Sequence, residues 1–206
     1  GYTLDDNARA LVAMCQHYEL TNNLADVEKI NLHFNFIKFC FQSEGYFLNY
    51  VNENKEFTKQ NSENLDDANG RAIWALGYLI SIGDLLPKEL NESAYLLMQM
   101  ALTNVRKIHS TRAMAFIIKG IYFSSLNKYS IQNIALLQHF ADKLVQMYKH
   151  EADDNWTWFE SYLTYANSTL PEAMLCAYLV TDEKKYKDIA KESFDFLLSK
   201  IYRNNR

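Results

Sequence analysis

Apolar side chains recur at helical spacing through almost the whole of this chain, as in Leu11, Met14, Cys15 and Tyr18, and again in Leu32, Phe36, Phe39 and Cys40. Such spacing gathers them on one face of an α-helix. The residues that punctuate β folds are scarce, with 6 Gly and 2 Pro in 206 residues, where average usage is about 7% and 5%. A many-stranded sandwich or barrel is therefore disfavoured, and 49% apolar content supports one soluble globular domain spanning residues 1–206. The periodicity predicts eight helices near residues 5–20, 25–43, 67–82, 87–106, 110–126, 130–149, 168–181 and 183–202. Their starts are signalled by Asp5, Asp66/Asp67, Pro87, Ser110, Ser130 and Pro171. Short connections such as Gly83-Asp84 and Thr181-Asp182 force antiparallel neighbours, so the expected unit is a helical hairpin, four times over. Two connections are long: residues 44–66, which read as a small β-hairpin or extended flap, and residues 150–167, which are rich in Trp.

Several function classes lack their marks. The net charge is −4 and no basic run exceeds Lys184-Lys185, so nucleic acid is not an expected partner. Uncharged stretches such as Ala72 to Gly83, about twelve residues, are short of the roughly 20 that cross a bilayer. Cys15, Cys40 and Cys176 are an odd number of widely spaced thiols without a CxxC pattern. They read as buried thiols in a reducing, cytoplasmic setting, with a periplasmic one left open. His17, His33, His139 and His150 form no HxxxH or HExxH pattern, so no metal is expected, and phosphate-cradling and GxSxG motifs are missing, so neither is a cofactor or a nucleophilic serine.

The starts of the odd-numbered helices resemble one another. Asp5-Asp6-Asn7-Ala8-Arg9-Ala10 aligns with Asp67-Ala68-Asn69-Gly70-Arg71-Ala72, more loosely with the segment ending Arg112-Ala113, and at its last alanine with Ser168 to Ala173. Repeated hairpins stack side by side, so these N-terminal ends should gather on one face, which both long loops also reach. Asp5 and Asp67 each precede an arginine by four residues and can pair with it along the helix. Plain capping and surface ion pairs account for the acids but not for the repeated Asn and Arg. Alternatively, Asp5, Asp66, Asn7, Asn69, Arg9, Arg71 and Arg112 contact a hydroxyl-rich ligand. The run Trp156-Thr157-Trp158-Phe159-Glu160 places a carboxylate among aromatics, either as a general acid beside sugar-stacking rings or as the partner of Arg71 or Arg112. His109 precedes a helix and has no partner in the sequence.

Three segments, Thr3 to Ala10, Gly70-Arg71-Ala72-Ile73-Trp74-Ala75-Leu76-Gly77 and Trp158-Phe159-Glu160 through Leu163-Thr164-Tyr165, Asn167, Leu170-Pro171 and Ala173, together resemble a bacterial family. Its members are six-hairpin, glycosidase-like (α/α) toroid proteins, often encoded beside or fused to glycosyltransferases. The loop Gly45 to Tyr50 is similar to the family's Gly-x-Phe-x-Asn segment. The chain departs from the pattern at Ala166, where Asp is expected, and at Asp67-Ala68-Asn69. The resemblance implies an all-α fold of antiparallel hairpins in an (α/α)6-type toroid. With about eight helices that toroid is incomplete, either lacking N-terminal hairpins or forming an open arc. An arc would expose an apolar edge at Leu4 to Tyr18 and could dimerise through it.

The function this implies is a glycoside hydrolase acting on an oligosaccharide, inverting, with Glu160 as acid and Asp6 or Asp67 as base. Trp74, Trp156, Trp158 and Tyr165 would be sugar platforms, and His109, Arg112 and Asn167 would help position the ligand. The alternative is a non-catalytic glycan-binding or scaffold domain serving a glycosyltransferase. A sugar epimerase would need a convergent histidine pair, and a plain helical adaptor would not need the repeated polar helix starts.

Overall fold

The structure, a computed structural model, describes residues 1–202. Among them are the eight expected helices: α1 (Leu4–Thr21), α2 (Ala25–Cys40), α3 (Asp66–Ser81), α4 (Lys88–Leu102), α5 (Thr111–Ser125), α6 (Ile131–Glu151), α7 (Thr169–Thr181) and α8 (Lys184–Ile201). The fold class is all-α. The largest boundary error is at the end of α4, where the Thr103 hydroxyl turns back to Met100 O at 2.7 Å and a 3-10 turn, Val105–Lys107, follows. The cap of α1 is Thr3, whose hydroxyl accepts from Asp6 N at 3.1 Å, with Asp5 already inside the first turn. Ser110 and Ser130 cap α5 and α6 as expected. None of the helices is long and apolar enough to cross a membrane.

Each consecutive pair, α1/α2, α3/α4, α5/α6 and α7/α8, packs as a hairpin, and the odd helices pack in the order α1, α3, α5, α7. Their register shows that they run parallel. Asp5 of α1 meets Arg71 of α3 and Glu19 meets Tyr78; Gly70 and Gly77 of α3 lie against Ala113 and Gly120 of α5. The N-terminal ends of the odd helices therefore share one end of the molecule. The row is open, since α1 and α7 make no extended contact.

The apolar edge expected at Leu4 to Tyr18 is covered. Leu4, Ala8, Leu11, Val12, Cys15 and Tyr18 are buried, because α2 and α3 cover that face of α1. Apolar side chains are left in solvent at both ends of the row: Leu20, Leu32 and Phe39 on α1 and α2, and Leu175, Leu179 and Phe194 on α7 and α8. All three cysteines are buried and free, and burial pushes the Cys40 and Cys176 thiols up to about 12.

The α3/α5 contact is the most extensive in the molecule, and glycine is what permits it. A Cβ on Gly77 would stand 2.0 Å from Gly120 O and 2.6 Å from Gly120 Cα, so backbone meets backbone there. No side-chain rotation can relieve that clash. We expect Gly77→Ala to cost about 3 kcal/mol, at the upper end of overpacking penalties, read from the midpoint of urea denaturation. A midpoint within error of wild type would show that the two helices part freely.

The loop at residues 44–66 is partly the extended flap that its aromatic and polar alternation suggests. Tyr50–Val51 (β2) pairs antiparallel with Tyr2–Thr3 (β1), so its partner is the N-terminus. Asn61 holds the flap's turn by accepting from Asn49 N and Tyr50 N at 2.7 and 2.9 Å.

Candidate functional site at the helix N-termini

The residues singled out in the sequence do converge on the N-terminal end of the odd helices, where they form a chain of internal pairs. Arg9 reaches back to Asp5 and Asp6 at 2.9 and 2.6 Å, as i,i+4 and i,i+3 spacing allows. The second copy of the motif behaves differently. Arg71 does not pair with Asp67 but crosses to Asp5 at 2.6 Å, and its guanidinium lies 4.9 Å from the Phe116 ring centroid. Asp67 is left to accept from the Ser110 hydroxyl on one oxygen and the Tyr165 hydroxyl on the other. Burial and that carboxylate push the Tyr165 phenol up to about 12, which keeps it a donor at neutral pH.

Glu160 sits at the centre of the third cluster. One carboxylate oxygen accepts from the Thr111 hydroxyl and the other from Arg112 Nη1. Arg112 is only 4% exposed, and its remaining donors go to Tyr165 O at 3.1 Å, Thr111 Oγ1 at 3.0 Å and Asn167 Oδ1 at 2.9 Å. The Tyr165 ring stands 5.5 Å from the guanidinium. The long Trp-rich loop is thus fastened onto the start of α5 by one arginine.

Several expected ligand contacts turn out to be internal supports. Asn69 brackets the flap, accepting from Phe47 N at 2.8 Å and donating to Phe47 O at 2.9 Å. Asn7 donates to Thr3 O and pairs with His33. Asn167 accepts from Arg112 and from Thr164 N at 3.2 Å. The backbone N–H of His109 donates to Asp66 at 3.3 Å, and its ring has no second histidine beside it.

The tryptophans need the clearest correction as sugar platforms. Trp158 is fully buried against Phe159 and Phe196, where the loop turns in between α6 and α8. Trp156 packs edge-on to Phe196 and donates through Nε1 to Glu160 O at 2.6 Å. Trp74 is half-buried against Phe116, with the Lys119 ammonium 4.5 Å from its ring centroid. The aromatic rings that do face solvent beside Glu160 are Tyr162 and Tyr165, 62% and 56% exposed.

A shallow depression of about 350 Å³ is bounded by His109, Ser110, Thr111, Arg112, Glu160, Tyr162, Thr164 and Tyr165. A second, of about 400 Å³, lies under the flap between Tyr46, Asn61, Asp66 and Lys107. In the first, the rings of Tyr162 and Tyr165 and the exposed Tyr162 and Thr164 hydroxyls are open to a ligand, while the Ser110, Thr111 and Tyr165 hydroxyls are committed to Asp67 and Glu160. No carboxylate proposed for acid or base work is free of an internal partner: Asp6 is held by Arg9 and Thr3, Asp67 by Ser110 and Tyr165, and Glu160 by Arg112 and Thr111.

Reasoning from sequence missed Ser110 and Thr111 as site groups, since both read simply as a helix start. It also missed the Lys119–Glu172 pair at 2.8 Å, with the lysine 6% exposed, which joins α5 to α7. A lysine at the centre of an otherwise apolar helix was the available signal. Ala166, where the resembling family carries Asp, has φ 47°, a left-handed conformation that Asp and Asn tolerate better than Ala. An Asp at that position has a backbone reason to be there without any catalytic one. Among the described residues no His, Cys, Asp and Glu cluster could hold a metal. No protein-family model matches this chain, and a search of curated proteins returns no similar one.

Proposed function

We propose that this domain binds a carbohydrate at the N-terminal face of its odd helices and does not hydrolyse it. The observation that carries this reading is the engagement of Asp6, Asp67 and Glu160 by internal donors, beside a depression whose free surface is the rings of Tyr162 and Tyr165 with the Tyr162 and Thr164 hydroxyls. A carboxylate with both oxygens occupied is suited to orienting an arginine rather than shuttling a proton. Open tyrosine rings with neighbouring hydroxyls suit the alternating C–H and O–H surfaces of a sugar. The resemblance to proteins encoded beside glycosyltransferases adds a place for such binding, that of holding a glycan for a partner enzyme.

Calorimetric titration with a panel of neutral and acidic oligosaccharides tests this. At least one should bind saturably, and Tyr165→Ala should weaken it about tenfold or more, equivalent to the loss of roughly 1.4 kcal/mol. The same panel incubated with the protein should stay intact by product chromatography. Cleavage by wild type that disappears in Glu160→Gln would replace the binding reading with the hydrolase one, and no binding to any sugar would remove both.

A further inference from the structure

In a stack of hairpins, every odd helix but the first and last is flanked on both sides, and the terminal ones need a polar outer face. The outer face of α1 is mostly polar, with Asp6, Arg9, Gln16, His17, Glu19 and Thr21 exposed and Leu20 the one large apolar side chain among them. That of α7 is not. Its thirteen residues carry one charge, Glu172, and are otherwise Thr, Pro and apolar side chains, the composition of a helix covered all round. Yet Leu175 and Leu179 are 45% and 57% exposed, and Phe194 of α8 is 46% exposed. Between α7 and α8 lies an almost wholly apolar groove of about 510 Å³, edged by Glu172, Lys187 and Lys191.

We propose that this flank is the interface between two copies of the chain, related by a two-fold axis near Leu175. The charges on the groove select that occupant. Glu172, Leu175 and Leu179 fall at i, i+3 and i+7 and form one stripe. Lys187 lies over the Tyr178 ring at 5.1 Å, at the end of α7 opposite Glu172. Pairing α7 antiparallel with its own copy about Leu175 sets each Glu172, half-exposed and with one oxygen held by Lys119 of its own copy, opposite the Tyr178 and Lys187 of the other, and buries the leucine stripes against one another. An isologous contact of this kind closes on itself, the commonest arrangement among oligomers.

Sedimentation equilibrium between about 1 and 100 µM covers the dissociation constants expected of a modest interface. The 206-residue protein should approach twice its chain mass at the upper end. Leu175→Ser with Leu179→Ser should return it to monomer while leaving the helical circular dichroism unchanged, since both side chains face solvent within one copy. Lys187→Glu, also exposed, should weaken the dimer about tenfold or more by setting like charges face to face. A wild-type monomer throughout the range would overturn the proposal and leave the flank to some other covering. A dimer that survives both the serine and the glutamate variants would overturn it too, by placing the interface elsewhere.

Discussion

Arg112→Ala should destabilise the domain by about 3–5 kcal/mol, the range found when one partner of a buried ion pair is removed. The Arg112 side chain is 4% exposed and its guanidinium serves Glu160, Thr111, Asn167 and the Tyr165 carbonyl together. Truncation leaves a partly buried carboxylate without its counter-charge and releases the loop from the start of α5. In a domain of this size the midpoint of thermal unfolding should fall by about 6–20 °C. Arg112→Lys should recover little, because one ammonium cannot address acceptors spread around a planar fork. Glu160→Gln should cost less, since the amide oxygen still accepts from Thr111. Urea denaturation of the two single variants and the double would give the coupling between them. A value for Arg112→Ala within 1 kcal/mol of wild type would mean that this cluster does not anchor the loop.

Trp158→Ala is expected to match it in size, about 3–5 kcal/mol, for a different reason. The indole is fully buried, in contact with Phe159 and Phe196, while Phe159 packs on Tyr148 of α6. Removing it opens a cavity where the Trp-rich loop, α6 and α8 meet. Its Nε1 has no hydrogen-bond partner, so Trp158→Phe gives up volume but no hydrogen bond and should cost clearly less, near 1.5 kcal/mol. The phenylalanine variant should bind any ligand of the tyrosine depression as wild type does. Lost binding with stability intact would put the indole back among ligand contacts.

Helix count and hairpin order were legible because each helix writes its buried face into its own spacing, as in Leu11, Cys15 and Tyr18. The gathering of the odd helix starts was legible from the repeat. What was not legible is decided between helices. The Asp5–Arg9 and Asp67–Arg71 spacings are identical in sequence, yet only the first pairs locally. The parallel contact of α1 with α3 brings Asp5 within reach of Arg71, and that register is a property of packing. Trp156 and Trp158 read as open platforms for a similar reason: nothing in the loop's own residues shows that both rings pack on Phe196 of α8. The misplaced apolar edge has the same origin, since α1 and α7 both read as apolar and only the arrangement shows which one has a cover.

The backbone contact between Gly77 and Gly120 acts as a ruler. Because no side chain separates the two helices there, their spacing does not depend on which residues line the rest of the interface. Asp67 at the head of one helix and Ser110 to Arg112 at the head of the other inherit that spacing. The loops that cross above them can then vary at exposed positions such as Tyr162 and Tyr165 without resetting the frame, while the buried Phe47 and Trp158 stay. A scaffold of this kind is suited to acquiring new ligand preferences by change at the loop surface, with Asn69 and Arg112 kept as the two fastening points.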